Sequence, residues 1–284
     1  MPAPNLDPAR ALETWETIAS YWDATITADG NKYWRRLQEP SLRRLLGHHL
    51  SKPGCKALDL ATGNGLCARW MLRNGAQSVL ATDGAAAMVE LARGYGEGAV
   101  KGEGSGGESG RLRFRVVDVT SDEQLQSLVE EEGRFDVVLM NMAIMDVATL
   151  EPLVGALPGL LAEGGVFVAT LLHPVFFTSN ATGNIEIGYN PATGEREIVR
   201  GKLIKEYMFV PPAVGIAVPG QPAKQLYFHR PMHELFTTFF RAGFVMDAME
   251  ELAFTEEDAE PKRIESSSNY TQLPAILAFR MRLG

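Results

Sequence analysis

The chain has 284 residues, 45% of them hydrophobic and 22% charged, and a formal net charge of -8; that is enough to bury a sizeable core, as one domain or one domain with an insertion. The acidic balance and the lack of any Lys/Arg block exclude a broad nucleic-acid-binding face, which needs clustered cations to release counterions. Cys55 and Cys67 are too few for a disulfide framework and form no C-x-x-C pair.

From Pro8 to Leu50 the sequence predicts interrupted helix. ARALETWETIASYWDATI places Leu12, Trp15, Ile18, Ala19 and Trp22 on one stripe. DGN breaks it, and KYWRRLQEPSLRRLLGHHL resumes, with Pro40 near the start of the second piece. MPAPNLDPAR lacks the apolar segment of a signal peptide, and no uninterrupted apolar run reaches about 18 residues, so a cytoplasmic protein without membrane partners is expected.

An alternating pattern follows. CKALDL reads as a buried strand, GLCARWMLRNG as a helix ended by Gly75, SVLATD as a strand and AAAMVELARGYG as a helix. GEGAVKGEGSGGESG has the composition of a surface loop. RLRFRVVDV, FDVVLMNM and VFVATLL read as strands, separated by the helices SDEQLQSLVEEEG and ATLEPLVGALPGLLAEGG. Five strands alternating with four helices imply right-handed crossovers and a parallel sheet covered on both faces. From about 173 to 231 the pattern dissolves into a Gly/Pro-punctuated insertion. Regular pattern returns in the helix MHELFTTFFRAG and the strands FVMDAMEELAF and AILAFRMRL. No helix joins these two strands, so they fit a sheet edge carrying one antiparallel strand. The predicted fold is a doubly wound, Rossmann-like α/β sheet of seven strands, mostly parallel, with helices on both faces.

In such a sheet ligands bind beyond the carboxyl ends of the strands, where strand order reverses. ALDLATGNG puts Asp59 and a small-residue turn there, and Ala61, Gly63 and Gly65 let a ligand approach the backbone closely. The next strand ends in Asp83, twenty residues beyond Gly63, an offset that suits hydrogen bonds from ribose hydroxyls. Asp118 is read as the end of strand three. The third glycine of a dinucleotide turn is absent, and the turn has no basic residue for a pyrophosphate. Three acids suit a cationic nucleoside instead.

At these residues the chain resembles the class I S-adenosylmethionine-dependent methyltransferases. LDLATGNG is similar to their glycine motif, with Ala61 where glycine is usual, and ATDGAAAMVELAR to their second motif. VVDV, FDVVLMNMAIMDV and LLAEGGVFVATLLHPVF resemble later elements, with Glu163 in place of proline. The likeness runs from about Asn31 to the C-terminus and says little about substrate. It implies S-adenosyl-L-methionine as cofactor, with Asp59, Ala61, Gly63 and Gly65 on its methionine portion. Asp83, with Gly84 beside it, falls at the ribose, Met88, Asp118 and Val119 at the adenine, and Asn141 and Met142 beside the sulfonium. Asn31 and Tyr33 belong to a lead-in that closes over the cofactor.

The resulting expectation is a helical lead-in or lid over residues 1–50 and a methyltransferase domain over 51–284 with a cap-like insertion at about 173–231. It acts on an O, N or S atom of a small, partly apolar molecule, as a monomer or weak homodimer. The flat amine-gripping pattern of base methyltransferases is missing after Asn141, which again argues against a nucleic-acid substrate. His173 is the best-placed general base, its alternative role being a structural imidazole at the strand end. His229 and His233 lack a third ligand, so no metal is expected. Phe176, Phe177, Tyr207, Met208, Phe209 and Tyr227 are expected either to wall the pocket or to form a small core in the insertion. The rival functions are a cofactor-binding protein of the same fold that does not methylate and, disfavoured by the glycine spacing, a nicotinamide dehydrogenase.

Overall fold

The computed structural model describes residues 8–100 and 111–284, so the Gly-rich stretch around residue 104 lies outside the described residues. The chain opens with α1 (Pro8–Ile26), a short π-helical turn (Trp34–Gln38) and α2 (Glu39–Leu50), whose second residue is Pro40. Alternation follows: β1 (Lys56–Leu60), α3 (Leu66–Arg73), β2 (Ser78–Asp83), α4 (Ala86–Val100), β3 (Leu112–Val116), α5 (Asp122–Glu132), β4 (Phe135–Asn141), α6 (Glu151–Leu160) and β5 (Leu161–Leu172). Ser121 caps α5 by accepting the Gln124 amide.

The inserted segment contains a hairpin, β6 (Thr182–Tyr189) with β7 (Arg196–Leu203), and a short pair, β8 (Ala213–Gly215) with β9 (Gln225–Tyr227). Then come α7 (Met232–Arg241), β10 (Phe244–Leu252) and β11 (Ile276–Leu283).

Seven strands form one sheet in the order β10-β11-β5-β4-β1-β2-β3. β1 to β5 are mutually parallel, and β11 runs antiparallel between β5 and β10. The chain winds outward from β1 to β3, then crosses back to β4 beside β1. That reversal opens a crevice at the carboxyl ends of β1 and β4.

Strand periodicity divides the core between the two faces. Leu58, Val138, Met140, Phe167 and Phe279 pack on one face with Leu128 of α5, Leu157 of α6 and Phe239 of α7. Ala57, Val137, Leu139, Val168 and Ala278 pack on the other with Leu42 and Leu46 of α2 and Met71 of α3. Phe167 stacks on Phe239 at 5.4 Å, and Phe279 meets Phe239 edge-on at 5.6 Å. Among the described residues no helix is long and apolar enough to cross a membrane.

Candidate functional site

β1 cannot run straight into α3, because a helix must start within six residues and turn back over the sheet. The connection is made by three positive φ angles, at Ala61 (51°), Gly63 (56°) and Gly65 (77°). Glycine takes these values freely, whereas Ala61 sits in the left-handed region against the preference of its Cβ. A Cβ built on Gly63 meets no atom within 4 Å, so the backbone there faces open space. Gly65 serves a different need. A Cβ there lies 3.1 Å from Ala92 and from the Arg69 guanidinium, so its smallness lets α3 and α4 pack closely.

Asp83 ties the turn to the next strand. The Gly63 amide donates to its Oδ2 at 2.9 Å, and the Ala85 amide to its Oδ1 at 2.9 Å. Asp59 is 1% exposed and accepts the Thr62 hydroxyl. Burial pushes Asp59 up to about 7 and Asp83 up to about 6, partly offset by these hydrogen bonds. Asp118 lies two residues past the last residue of β3, a small departure from the strand-end position expected. Its Oδ1 accepts the Thr120 amide and hydroxyl at 2.8 and 2.7 Å.

At the end of β4, Asn141 Nδ2 donates to Gln38 at 2.9 Å and its Oδ1 accepts the Thr170 hydroxyl at 2.6 Å. Met142 has φ 55° and is held by two hydrogen bonds to Thr170. A second non-glycine residue is therefore forced into the left-handed region on the same crevice.

These residues line one cleft of about 420 Å³: Asn31, Tyr33, Asp59, Ala61, Gly63, Asp83, Gly84, Met88, Asp118, Val119, Asn141 and Met142. Gly65 and His173, both expected there, are not on its lining. His173 is 1% exposed, its Nδ1 accepting the Val175 amide at 3.2 Å and its Nε2 paired with Glu251 at 2.8 Å. Burial holds its pKa below the usual imidazole value despite Glu251. Both ring nitrogens are committed inside the protein, so the strand-end structural alternative describes its geometry. His229 is held by Thr178 and the Tyr207 carbonyl, and among the described residues no cluster of three or more acids, His or Cys could bind a metal.

Of the six aromatic and Met side chains expected either to wall the pocket or to form a small core in the insertion, only Phe177 and Tyr227 line it. Phe209 is 87% exposed, Phe176 packs on His173, and the Tyr207 hydroxyl accepts the Met232 amide at 2.8 Å. Much of the wall comes from the lead-in, the turn after β1 and the segment after β4. Leu12, Trp15, Trp22 and Ile26 of α1 face the cleft, as do Gln38, Thr62, Asn64, Met145, Asp146 and Gln225.

α1 is fastened across the cleft by polar contacts. Glu16 accepts the Ala86 and Ala87 amides at the start of α4, at 2.5 and 2.9 Å, where a carboxylate also suits the helix dipole. Asp23 accepts Asn64 Nδ2 at 2.8 Å and the Tyr95 hydroxyl at 3.1 Å. The Tyr21 hydroxyl donates to the Pro219 carbonyl in the insertion. Lys32 reaches Glu260 at 2.6 Å and Arg36 pairs with Asp258, anchoring the following turn to the segment before β11.

Residues 58–169 match the family model described as a methyltransferase domain. No curated protein matches the sequence. Among solved structures, an S-adenosylmethionine-dependent methyltransferase from Mesorhizobium loti is similar over 90% of this chain and 100% of its own, at TM-score 0.59 and 21% identity. A putative S-adenosylmethionine-dependent methyltransferase from Listeria monocytogenes covers 87% and 98% of the two chains, at TM-score 0.56 and 15% identity. The glycopeptide N-methyltransferase MtfA complexed with S-adenosyl-L-methionine covers 86% and 93%, at TM-score 0.52 and 14% identity. The shared architecture is the class I methyltransferase fold.

Proposed function

We propose, from the match of residues 58–169 to a methyltransferase domain and from the shared class I fold, that the chain transfers a methyl group from S-adenosylmethionine to an oxygen, nitrogen or sulfur atom of a small, partly apolar metabolite. The carrying observation is the pair of buried carboxylates, Asp59 and Asp83, facing one cleft at a turn with open space above Gly63. When bound, the donor supplies an electrophilic methyl on a positively charged sulfur.

The residues present fit that group. Each Asp83 oxygen accepts one internal amide, which leaves acceptor capacity on both for the ribose hydroxyls. Asp59 lends negative charge beside the turn, where the methionine portion would lie. Met88 and Val119 offer apolar surface to the base, with Asp118 within the same wall. Asn141 and Met142 would stand beside the sulfur, fixed by Gln38 and Thr170.

Methyl transfer is an in-line displacement, so the chain's main contribution is to hold the acceptor in line and exclude water. Such positioning supplies on the order of 7–11 kcal/mol. The apolar α1 face, Phe177 and Tyr227 suit that role, α1 and the turn after it acting as the closing element.

Calorimetric titration of the intact protein with S-adenosylmethionine and with S-adenosylhomocysteine tests the reading. Saturable one-site binding of both is expected, and a folded protein that binds neither would end it.

A further inference from the structure

Among the described residues lining the cleft there are four carboxylates, Asp59, Asp83, Asp118 and Asp146, and no Lys, Arg or His. Asp59 lies near the end of β1, Asp83 ends β2, and Asp118 lies two residues past β3. Asp146 stands apart, on the short 3-10 turn Ile144–Asp146 after β4, between the buried side chains of Met145 and Val147.

It shares its wall with Gln225 and Tyr227 of β9. Gln225 Nε2 donates to Asp146 Oδ1 at 3.2 Å. That is the carboxylate's only side-chain hydrogen bond among the described residues, and no ion pair reaches it. Gln225 is itself 2% exposed, and its Oε1 has no partner.

The turn bearing Asp146 is firmly placed. The Phe228 amide donates to the Met145 carbonyl at 2.7 Å, and Arg230 donates to the carbonyls of Ile144, Val147 and Ala148 at 3.3, 2.8 and 2.8 Å. The nearby guanidinium is thus engaged by backbone rather than by the carboxylate. A carboxylate with a single side-chain hydrogen bond and no ion pair, beside an unpaired buried amide oxygen, is unfavourable until a partner completes it.

We propose that Asp146 and Gln225 form the acceptor subsite and that the acceptor is an amine, held through its N–H groups by the Asp146 carboxylate. An amine brings both the missing positive charge and more than one donor, whereas an alcohol brings one donor and no charge. A carboxylate- or phosphate-bearing acceptor finds no counterion on this lining.

The fate of the amine rests on the methyl-transfer reading; its recognition does not. An ammonium must lose a proton before its nitrogen can attack. The N–H bond breaks, its electron pair remains as the nitrogen lone pair, and the proton forms an O–H bond on Asp146. Burial raises the proton affinity of that carboxylate, which suits it to the task.

The test uses the full chain saturated with S-adenosylhomocysteine and titrated calorimetrically with phenethylamine, 2-phenylethanol and 3-phenylpropionate. These share an aromatic body and differ in the charge of the head group. Phenethylamine is expected to bind at least about tenfold more tightly than either other probe. Asp146→Asn is expected to cost about tenfold in amine affinity while leaving the S-adenosylhomocysteine affinity unchanged. Gln225→Met, which keeps the side-chain volume, is expected to weaken the amine by a smaller factor.

Equal affinity for the three probes, preference for 3-phenylpropionate, no amine binding at millimolar concentration, or full amine affinity in folded Asp146→Asn would each overturn the proposal. If S-adenosylhomocysteine itself does not bind, the methyl-transfer reading fails, and the same amine series without it still decides the subsite.

Discussion

The Gly63 amide donates a 2.9 Å hydrogen bond to Asp83 Oδ2, joining the turn after β1 to the end of β2. One carboxylate therefore both shapes the turn and presents its remaining lone pairs to the cleft. Asp83→Ala is expected to lose two charge-assisted hydrogen bonds to the ribose, about 3 kcal/mol, or a roughly hundredfold rise in the dissociation constant for S-adenosylmethionine. Calorimetry checks this, with circular dichroism confirming the fold; undiminished affinity in a folded variant would remove Asp83 from the donor site.

A linked expectation concerns protons. Burial holds Asp59 near 7 and Asp83 near 6, against 3.8 ordinarily. Both carboxyls are therefore partly protonated in the free protein between about pH 5 and about pH 7. A cationic donor favours their ionised forms, so the complex carries fewer protons than the free protein. Affinity then rises with pH through that window and levels off above about pH 8, with protons released on binding. Titration near pH 6 in buffers of different ionisation enthalpy measures the release; proton uptake would contradict the assignment.

Much of this rim was legible in the sequence because it depends on local chemistry. Asp59 sits one residue before the end of a buried strand and Asp83 at the end of the next, and the turn residues follow within two positions. The α1 wall was legible in outline: the Leu12, Trp15 and Trp22 stripe was visible and the lead-in was expected as a lid, though which of its residues line the cleft was not. The insertion was visible as an interruption, but its internal strands were not. Gly183 and Gly188 interrupt the alternation of β6, and Ile187 and Val199 point outward at 54% exposure each, so neither period nor burial marks the hairpin. Aromatic content suggested that Phe209 faces a pocket, but long-range packing decides that question. Asp146 went unnoticed because one acid in AIMDV has no local signature; only its meeting with Gln225, 79 residues on, makes it a site.

Ala61 lies at φ 51°, where an alanine is strained by roughly 1–2 kcal/mol. Ala61→Gly relieves that strain at the cost of about 0.5–1 kcal/mol of extra chain entropy in the unfolded state. The net effect expected is a gain of up to about 1 kcal/mol in urea unfolding. Ala61→Val, β-branched at the same angle, should lose at least about 1 kcal/mol. A destabilised glycine variant would show that the turn is not under strain.

His173 bridges the Val175 amide and Glu251 with its ring buried. His173→Ala is expected to lower stability by about 2 kcal/mol, through a cavity and an unpaired amide. Donor affinity and the amine preference should stay within about twofold. A stable variant that nonetheless loses all activity would return the imidazole to the chemistry.

Glu16 is the only side chain bonded to the first two amides of α4 among the described contacts. Glu16→Ala should cost about 1 kcal/mol as a lost cap and dipole partner. The effect should be focused: hydrogen exchange accelerates in α1 while the sheet is unchanged. Uniform acceleration across the protein would mean that α1 is not separately fastened.

The all-acidic lining of the cleft bears on turnover. In the proposed reaction a sulfonium gives up its positive charge when its methyl departs, and the carboxylates of Asp59, Asp83 and Asp118 on the cleft wall would then act on a neutral product. Such a field would hold the charged reactant more strongly than what remains of it, so weak product inhibition is the expected consequence.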